Sequence, residues 1–177
     1  VRHDLQPRQT EELLLLLWDK SPCSADALQK AAVERGYLLA KRSSDQLLAS
    51  LGNLRIIDHR EHGIIHLSDL GKLISRTAKY NPNLLPELIH FRYYTAYDEE
   101  DPSSRFSWAY RLVCDYLWEA RNSSINVHEL VTLVQEEAQR TFQDSQDFGI
   151  SFSQNSVAGI INWLEALEPP CITEASS

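Results

Sequence analysis

Six histidines, three cysteines and one dense run of carboxylates are the side chains in this 177-residue sequence that could do chemistry. His59, His62 and His66 lie close enough in sequence to suggest a metal site. On a two-stranded ribbon, however, His59 and His66 need not face the same way, and no cysteine or second histidine pair completes a tetrahedral set. Ribbon polarity is the expected role of these three. Asp98-Glu99-Glu100-Asp101 could hold a cation loosely, but adjacent carboxylates in a turn-forming loop are ordinarily solvated. Cys23, Cys114 and Cys171 are odd in number and widely spaced, and they form no C-x-x-C pair, which argues against a disulfide framework and against zinc. Phosphate loops and the G-x-G-x-x-G, G-x-S-x-G and H-E-x-x-H patterns are absent. The sequence therefore predicts no catalytic residue, no metal and no cofactor, and the chain reads as non-enzymatic.

Binding chemistry has a more specific carrier in the stretch Ser43 to Lys72. Leu47, Leu48, Leu51 and Leu54 recur at three- and four-residue spacings, which stacks them on one helical face. Gly52 and Asn53 weaken the helix at its end. Arg55 to His59 has strand composition, Glu61-His62-Gly63 can supply a turn because Gly tolerates positive φ, and Ile64 to Leu67 returns as the partner strand. Ser68 stands where a helix N-cap belongs. With the leucine face buried, Gln46, Ala49, Ser50 and Asn53 are expected to face outward. Gln and Asn can make paired hydrogen bonds to adenine edges, so Gln46 and Asn53 are candidate readers of DNA, with Ser50 beside them. Lys41 and Arg42 precede this helix and Arg55 and Arg60 lie on or near the ribbon, all suited to phosphates. His59 and His62 can add charge below neutral pH. The candidate DNA-binding set is Lys41, Arg42, Gln46, Ser50, Asn53, Arg55, Arg60 and His62.

The elements that must position this set can be read along the chain. Pro7 suits a helix entry, and Gln9 to Asp19 forms a helix that buries Leu13, Leu14, Leu16 and Leu17. Pro22 breaks it. Ser24 caps a second helix, Ala25 to Arg35, with Leu28, Ala31, Ala32 and Ala27 inward and Gly36 as its stop. Ser43 or Ser44 caps the third. After the ribbon a helix runs from Asp69 to Lys79 and is stopped by Asn81-Pro82, and another runs from Leu84 to Tyr97. The acidic run through Ser104 is the candidate boundary. Phe106 to Arg121 then carries Trp108, Leu112, Val113, Tyr116 and Leu117 inward. Ile125 to Val127 is a candidate short strand, and His128 to Phe142 a further helix. Ser153 caps a last helix, Gln154 to Leu167, burying Val157, Ile160, Ile161, Leu164 and Leu167, with a partial ribbon from Glu168.

Three helices and a ribbon within about sixty residues, with the L-S-D-L-G-K run after it, resemble a winged-helix domain. The later helices resemble a second, minimal or truncated copy. The expected fold is therefore mainly α with small β-wings (α+β), as two winged-helix units joined by a helical connector. Residues 1–80 form the first unit, 81–104 the connector and acidic loop, and 105–177 the second. The central part, through L-L-P-E-L-I-H-F-R-Y-Y-T-A-Y and F-S-W-A-Y-R-L-V, more distantly resembles a prokaryotic family found beside DNA-modification and phage-defence genes. That resemblance implies a regulatory or defence-associated accessory protein and supplies no catalytic positions.

Charge separates the two halves. The net charge is −8, but residues 1–80 hold twelve Lys/Arg against ten Asp/Glu, a net of +2, and residues 81–177 hold five against fifteen, a net of −10. The first half could meet a phosphate backbone that would repel the second. Double-stranded DNA is thus the expected partner of the first unit. A protein, or a second copy of the chain, is the expected partner of the acidic half. The aromatic residues Phe91, Tyr93, Tyr94, Tyr97, Phe106, Trp108, Tyr110 and Tyr116 are expected to serve core or homodimer packing. An adaptor that uses winged-helix units solely for protein contacts is the alternative. No window approaches eighteen consecutive apolar residues and no signal-peptide pattern opens the sequence, so a cytoplasmic, non-membrane protein is expected.

Overall fold

Two serines and two left-handed residues set the ends of the helices that frame the first half of the chain. In the computed structural model, which describes residues 7–37, 41–60, 63–120, 126–142, 152 and 154–171 (41–44 and 59–60 as backbone alone), α1 spans Pro7–Lys20. A two-residue strand, β1 (Cys23–Ser24), leads into α2 (Ala25–Glu34). The Ser24 hydroxyl accepts the Ala27 N–H and caps α2. The helix ends in a Schellman motif: Gly36, at φ 73°, donates to Val33 O, and Tyr37 N–H reaches back to Ala32 O. Next come α3 (Lys41–Asn53), β2 (Ile57–Arg60), β3 (Ile64–Leu67) and α4 (Asp69–Tyr80). A short 3-10 turn, Pro82–Leu84, precedes α5 (Leu85–Thr95).

The three strands form one antiparallel sheet in the order β1-β3-β2. Ile57 pairs with Leu67 and Arg60 with Ile64 across the ribbon, while Cys23 and Ser24 pair with Ile65 and Ile64. The Ser21 hydroxyl extends this edge by accepting the Leu67 N–H at 3.0 Å. The core of the unit gathers Leu13, Leu14, Leu16 and Leu17 of α1, Leu28, Ala31 and Ala32 of α2 and the α3 leucines. Ile56, Ile57, Ile65 and Leu67, with Ile74 and Ala78 of α4, complete it. α1 packs on α2 and α4. At their ends, Asp19 takes Arg35 at 2.6 Å and Lys79 at 3.5 Å, tying α1 to α2 and α4 by charge.

The tightest approach in this unit lies where α3 hands over to the ribbon. The Ile56 carbonyl accepts the Ser68 N–H at 3.1 Å; the Ser68 hydroxyl donates to the Arg55 carbonyl at 2.7 Å, with the Ile56 carbonyl as a longer second acceptor at 3.1 Å, and accepts the Gly71 N–H at 2.9 Å. A Cβ at Gly71 would collide with the Ile56 carbonyl oxygen and crowd Leu67 Cδ2.

The described chain forms two units, one through Ile89 and one from His90. The division falls inside α5, within the expected connector, and the acidic loop lies inside the second unit. There Ser104, buried, accepts the Asp98 N–H and donates to the Asp98 and Asp101 carbonyls. A 3-10 turn, Pro102–Ser104, leads to α6 (Arg105–Ala120), followed by α7 (Val127–Thr141) and α8 (Gln154–Glu165). Tyr93, Phe106, Tyr110 and Trp163 pack in one buried cluster, with Tyr93 stacked 5.1 Å from Tyr110.

The fold is mainly helical with a small antiparallel sheet, α+β as expected. Several details differ from expectation. Asn126, expected in a strand, caps α7 by accepting the His128 N–H, and among the described residues the second unit holds no strand. Tyr116, expected inward, is 40% exposed, and Ala27 is exposed. Ser153, as an N-cap, lies outside the described residues.

Two outcomes follow for stability. Gly71→Ala forces backbone apart and should cost more than about 2 kcal/mol in urea unfolding, well above Gly63→Ala, whose Cβ meets open space and only left-handed strain. The Arg35 hydrogen bond, outweighing desolvation and helped by Lys79, holds the Asp19 carboxyl below its ordinary range. A lowered folded value means the clamp stabilises above the unfolded pKa and is lost as pH falls through the folded one. Asp19→Asn should cost about 0.5–1 kcal/mol at pH 7 after solvent screening. Its difference from wild type should vanish once pH drops below the ordinary carboxylate range.

Candidate nucleic-acid interface

Leu47, Leu48, Leu51 and Leu54 are all buried, so α3 presents its opposite face to solvent. Asp45 and Ala49 are exposed on that face, with Gln46, Gly52 and Asn53 half-buried. Gln46 and Asn53 thus keep the accessibility that base reading needs. Ser50 does not. It lies three residues from Leu47 and four from Leu54, the spacings that place it on the leucine face. It is buried there and donates its hydroxyl to the Gln46 carbonyl at 3.0 Å. Residue type alone turns Ser50 outward and passes over Asp45, a carboxylate on the very face proposed to meet phosphates.

Lys41 and Arg42 do not precede the third helix; the helix begins at Lys41, and both lie in its first turn. Cations there oppose the helix dipole, an arrangement that costs a fraction of a kcal/mol unless an anion joins them. Arg60 ends β2 opposite Ile64. His62 lies outside the described residues. In the ribbon register His66 stands opposite Asp58 and His59 opposite Ile65, so the two histidines share no cross-strand pair. Gly63, at φ 72°, takes the positive backbone angle expected of the turn.

Arg55 is exposed, and its backbone is unusual. Leu54 caps α3, Arg55 N–H bonds Gly52 O, and Ile56 N–H bonds Leu51 O at 2.9 Å, the same Schellman geometry that closes α2. Where α2 uses Gly36, α3 uses Arg55 at φ 56°, the sole non-glycine residue at positive φ among those described. A left-handed backbone costs a non-glycine residue roughly 1–2 kcal/mol. Burial of Ile56 and the capture of its carbonyl by Ser68 enforce it.

The chain matches no family model, no curated protein and no solved structure.

Among the described residues of the first unit, the ion pairs Arg8–Glu12, Arg35–Asp19, Lys72–Asp69 and Lys79–Asp19 lie on or at the ends of α1, α2 and α4. In the second unit, Gln154 and Asn155 are exposed at the start of α8, with no cation on that helix. The aromatic set divides: Tyr93, Phe106 and Tyr110 are core, while Phe91 is 65% exposed. Trp118, which its sequence context does not single out, is 84% exposed on α6. No helix among the described residues is long and apolar enough to cross a membrane, and no group of three or more His, Cys, Asp or Glu among them could hold a metal ion.

The free cysteines give a chemical check on this unit. Burial pushes the Cys114 thiol up to about 12, leaving it protonated and a poor nucleophile at neutral pH, whereas Cys171 is exposed. Iodoacetamide at pH 8 should therefore modify Cys171 in the native protein and leave Cys114 unmodified until denaturant is added, as read by peptide mass spectrometry.

Proposed function

We propose that the first unit is a winged helix that binds double-stranded DNA, and that the protein works without catalysis in a regulatory or defence-associated role. The observation that carries this reading is the element order α1-β1-α2-α3-β2-β3 with its sheet in the order β1-β3-β2. On this reading α2 and α3 are the helix-turn-helix, β1 is the short strand ahead of its first helix, and β2 and β3 are the wing. In such folds the third helix enters the major groove and the wing meets backbone or minor groove. On that reading Gln46 and Asn53 face base edges, and Lys41, Arg42, Arg55, Arg60 and His62 face phosphates. Ser50 supports α3 from within. The link to DNA modification and phage defence rests on the sequence resemblance alone.

The acidic second half serves a protein partner or a second copy of the chain. Its helices α6, α7 and α8 pack together and carry few cations, so it lacks the counterion-release term that supports non-specific DNA affinity. A protein adaptor is the competing reading, and Asp45 on the outward face of α3 favours it.

Fluorescence anisotropy of a labelled mixed-sequence duplex, titrated at two salt concentrations, separates the two. The DNA-binding reading expects salt-sensitive binding. Replacing Lys41, Arg42 and Arg60 together by Gln should weaken it and flatten the slope of log affinity against log salt by about 1 for each phosphate no longer neutralised. Affinity unmoved by the triple substitution, or no binding at low salt, would leave the adaptor reading in its place.

A further inference from the structure

We infer that the outward face of α4 docks the end of α6 of a second copy of this chain; this rests on the reading that the acidic half serves a second copy. The inner face of α4 is Gly71, Ile74, Ser75 and Ala78, all buried. Leu73 and Tyr80 stand seven residues apart, two helical turns, and share the opposite face. Arg76 lies between them, three residues from one and four from the other. Leu73 is 58% exposed and Tyr80 70%, and Leu84, on the turn that follows the helix, is exposed as well. Lys72, Arg76 and Lys79 against Asp69 leave the helix with a net charge of +2. Lys72 is held by Asp69, while Lys79 is held by Asp19 and lies 5.9 Å from the centre of the Tyr80 ring. An apolar stripe edged by cations fits an apolar anchor set among carboxylates.

Two α4 faces do not fit one another. An antiparallel pair that seats Leu73 on the second copy's Tyr80 would bring the two Arg76 guanidiniums together, and like charges facing across an interface oppose association. The complementary surface is on α6. Asp115, Trp118 and Glu119 recur at spacings of three and four and share one face of that helix. Trp118 is the most exposed large apolar side chain among the described residues, Glu119 beside it is exposed, and α6 holds no cation after Arg111. The helix C-terminus adds its own partial negative charge there. Tryptophan is also a residue type enriched among the anchors of protein interfaces. The Trp118 indole set against Leu73 and Tyr80, with Glu119 on Arg76, matches apolar with apolar and charge with opposite charge.

The test is sedimentation velocity of the full chain across micromolar concentrations, for wild type, Arg76→Glu, Glu119→Arg, the two together, and Trp118→Ala. All three positions are exposed, so the variants should keep the fold, which far-UV circular dichroism checks. The inference expects wild type to sediment above the mass of one chain as concentration rises. Each charge reversal should raise the dissociation constant about tenfold, and Trp118→Ala at least as much. The double reversal should recover most of the loss, because it restores opposite charges. A wild type that stays a single chain would overturn the inference together with the second-copy reading. Self-association that Arg76→Glu leaves unchanged would overturn the inference while that reading stands, and so would a double reversal weaker than either single one. Arg76→Glu that weakens duplex binding but not self-association would assign α4 to phosphates and overturn it as well.

Discussion

The first unit turns on one carbonyl. Ile56 O sits at the N-terminus of α4, where the Ser68 N–H reaches it, where the Ser68 hydroxyl is shared between it and the nearer Arg55 carbonyl, and where Gly71 offers no Cβ to keep it away. Helix N-termini carry N–H groups without intrahelical partners, and here the hydroxyl of Ser68 also satisfies the Gly71 N–H. The contact joins three places in the chain: the exit of α3, the start of β2 and the turn from β3 into α4. Once it is made, the direction in which α3 leaves the core and the plane of the ribbon are no longer independent. The L-S-D-L-G-K run is therefore a chemical requirement, with Ser68 as cap and Gly71 as clearance.

From that anchor the candidate interface follows. The leucine face of α3 is pinned to the core, so its solvent face is defined, and the ribbon begins within four residues of the helix end. The described ion pairs of the unit tie down α1, α2 and α4. Against the interface stand Asp45 and the excess of carboxylates after residue 80. A DNA-binding role thus asks a small group of cations to act locally, within a Debye length of about 10 Å at 0.1 M salt, inside a chain of opposite overall sign.

Much of this is legible in the sequence, for identifiable reasons. Leucines at helical spacing locate α1 and α3, hydroxyls before apolar runs locate the caps of α2 and α4, and Gly36 and Gly63 mark two positive-φ positions. What escapes lacks a local signal. A two-residue strand such as β1 has no periodicity, and it exists because β3 offers it an edge. Ser50 reads as polar by type, but position outweighs type when a hydroxyl can return its hydrogen bond to the preceding turn. Lys41 and Arg42 fall outside the expected helix because serine caps are favoured and cations in a first turn are not. The strain at Arg55 is invisible in sequence, since arginine there is merely a polar residue after a helix. In the second half, Ile125 to Val127 looks β-branched enough for a strand, while Asn126 is in fact a cap.

The proposed duplex-binding surface consists of α3, Arg55 and the ribbon. Amide chemical-shift changes in the ¹⁵N-labelled full chain, titrated with a mixed-sequence duplex at low salt, test that placement directly. The expected result is a set of shifts confined to Gln46, Ala49, Asn53, Arg55 and Gly63 and their neighbours, with α6, α7 and α8 unmoved. Shifts centred on the second unit, or none anywhere, would contradict it.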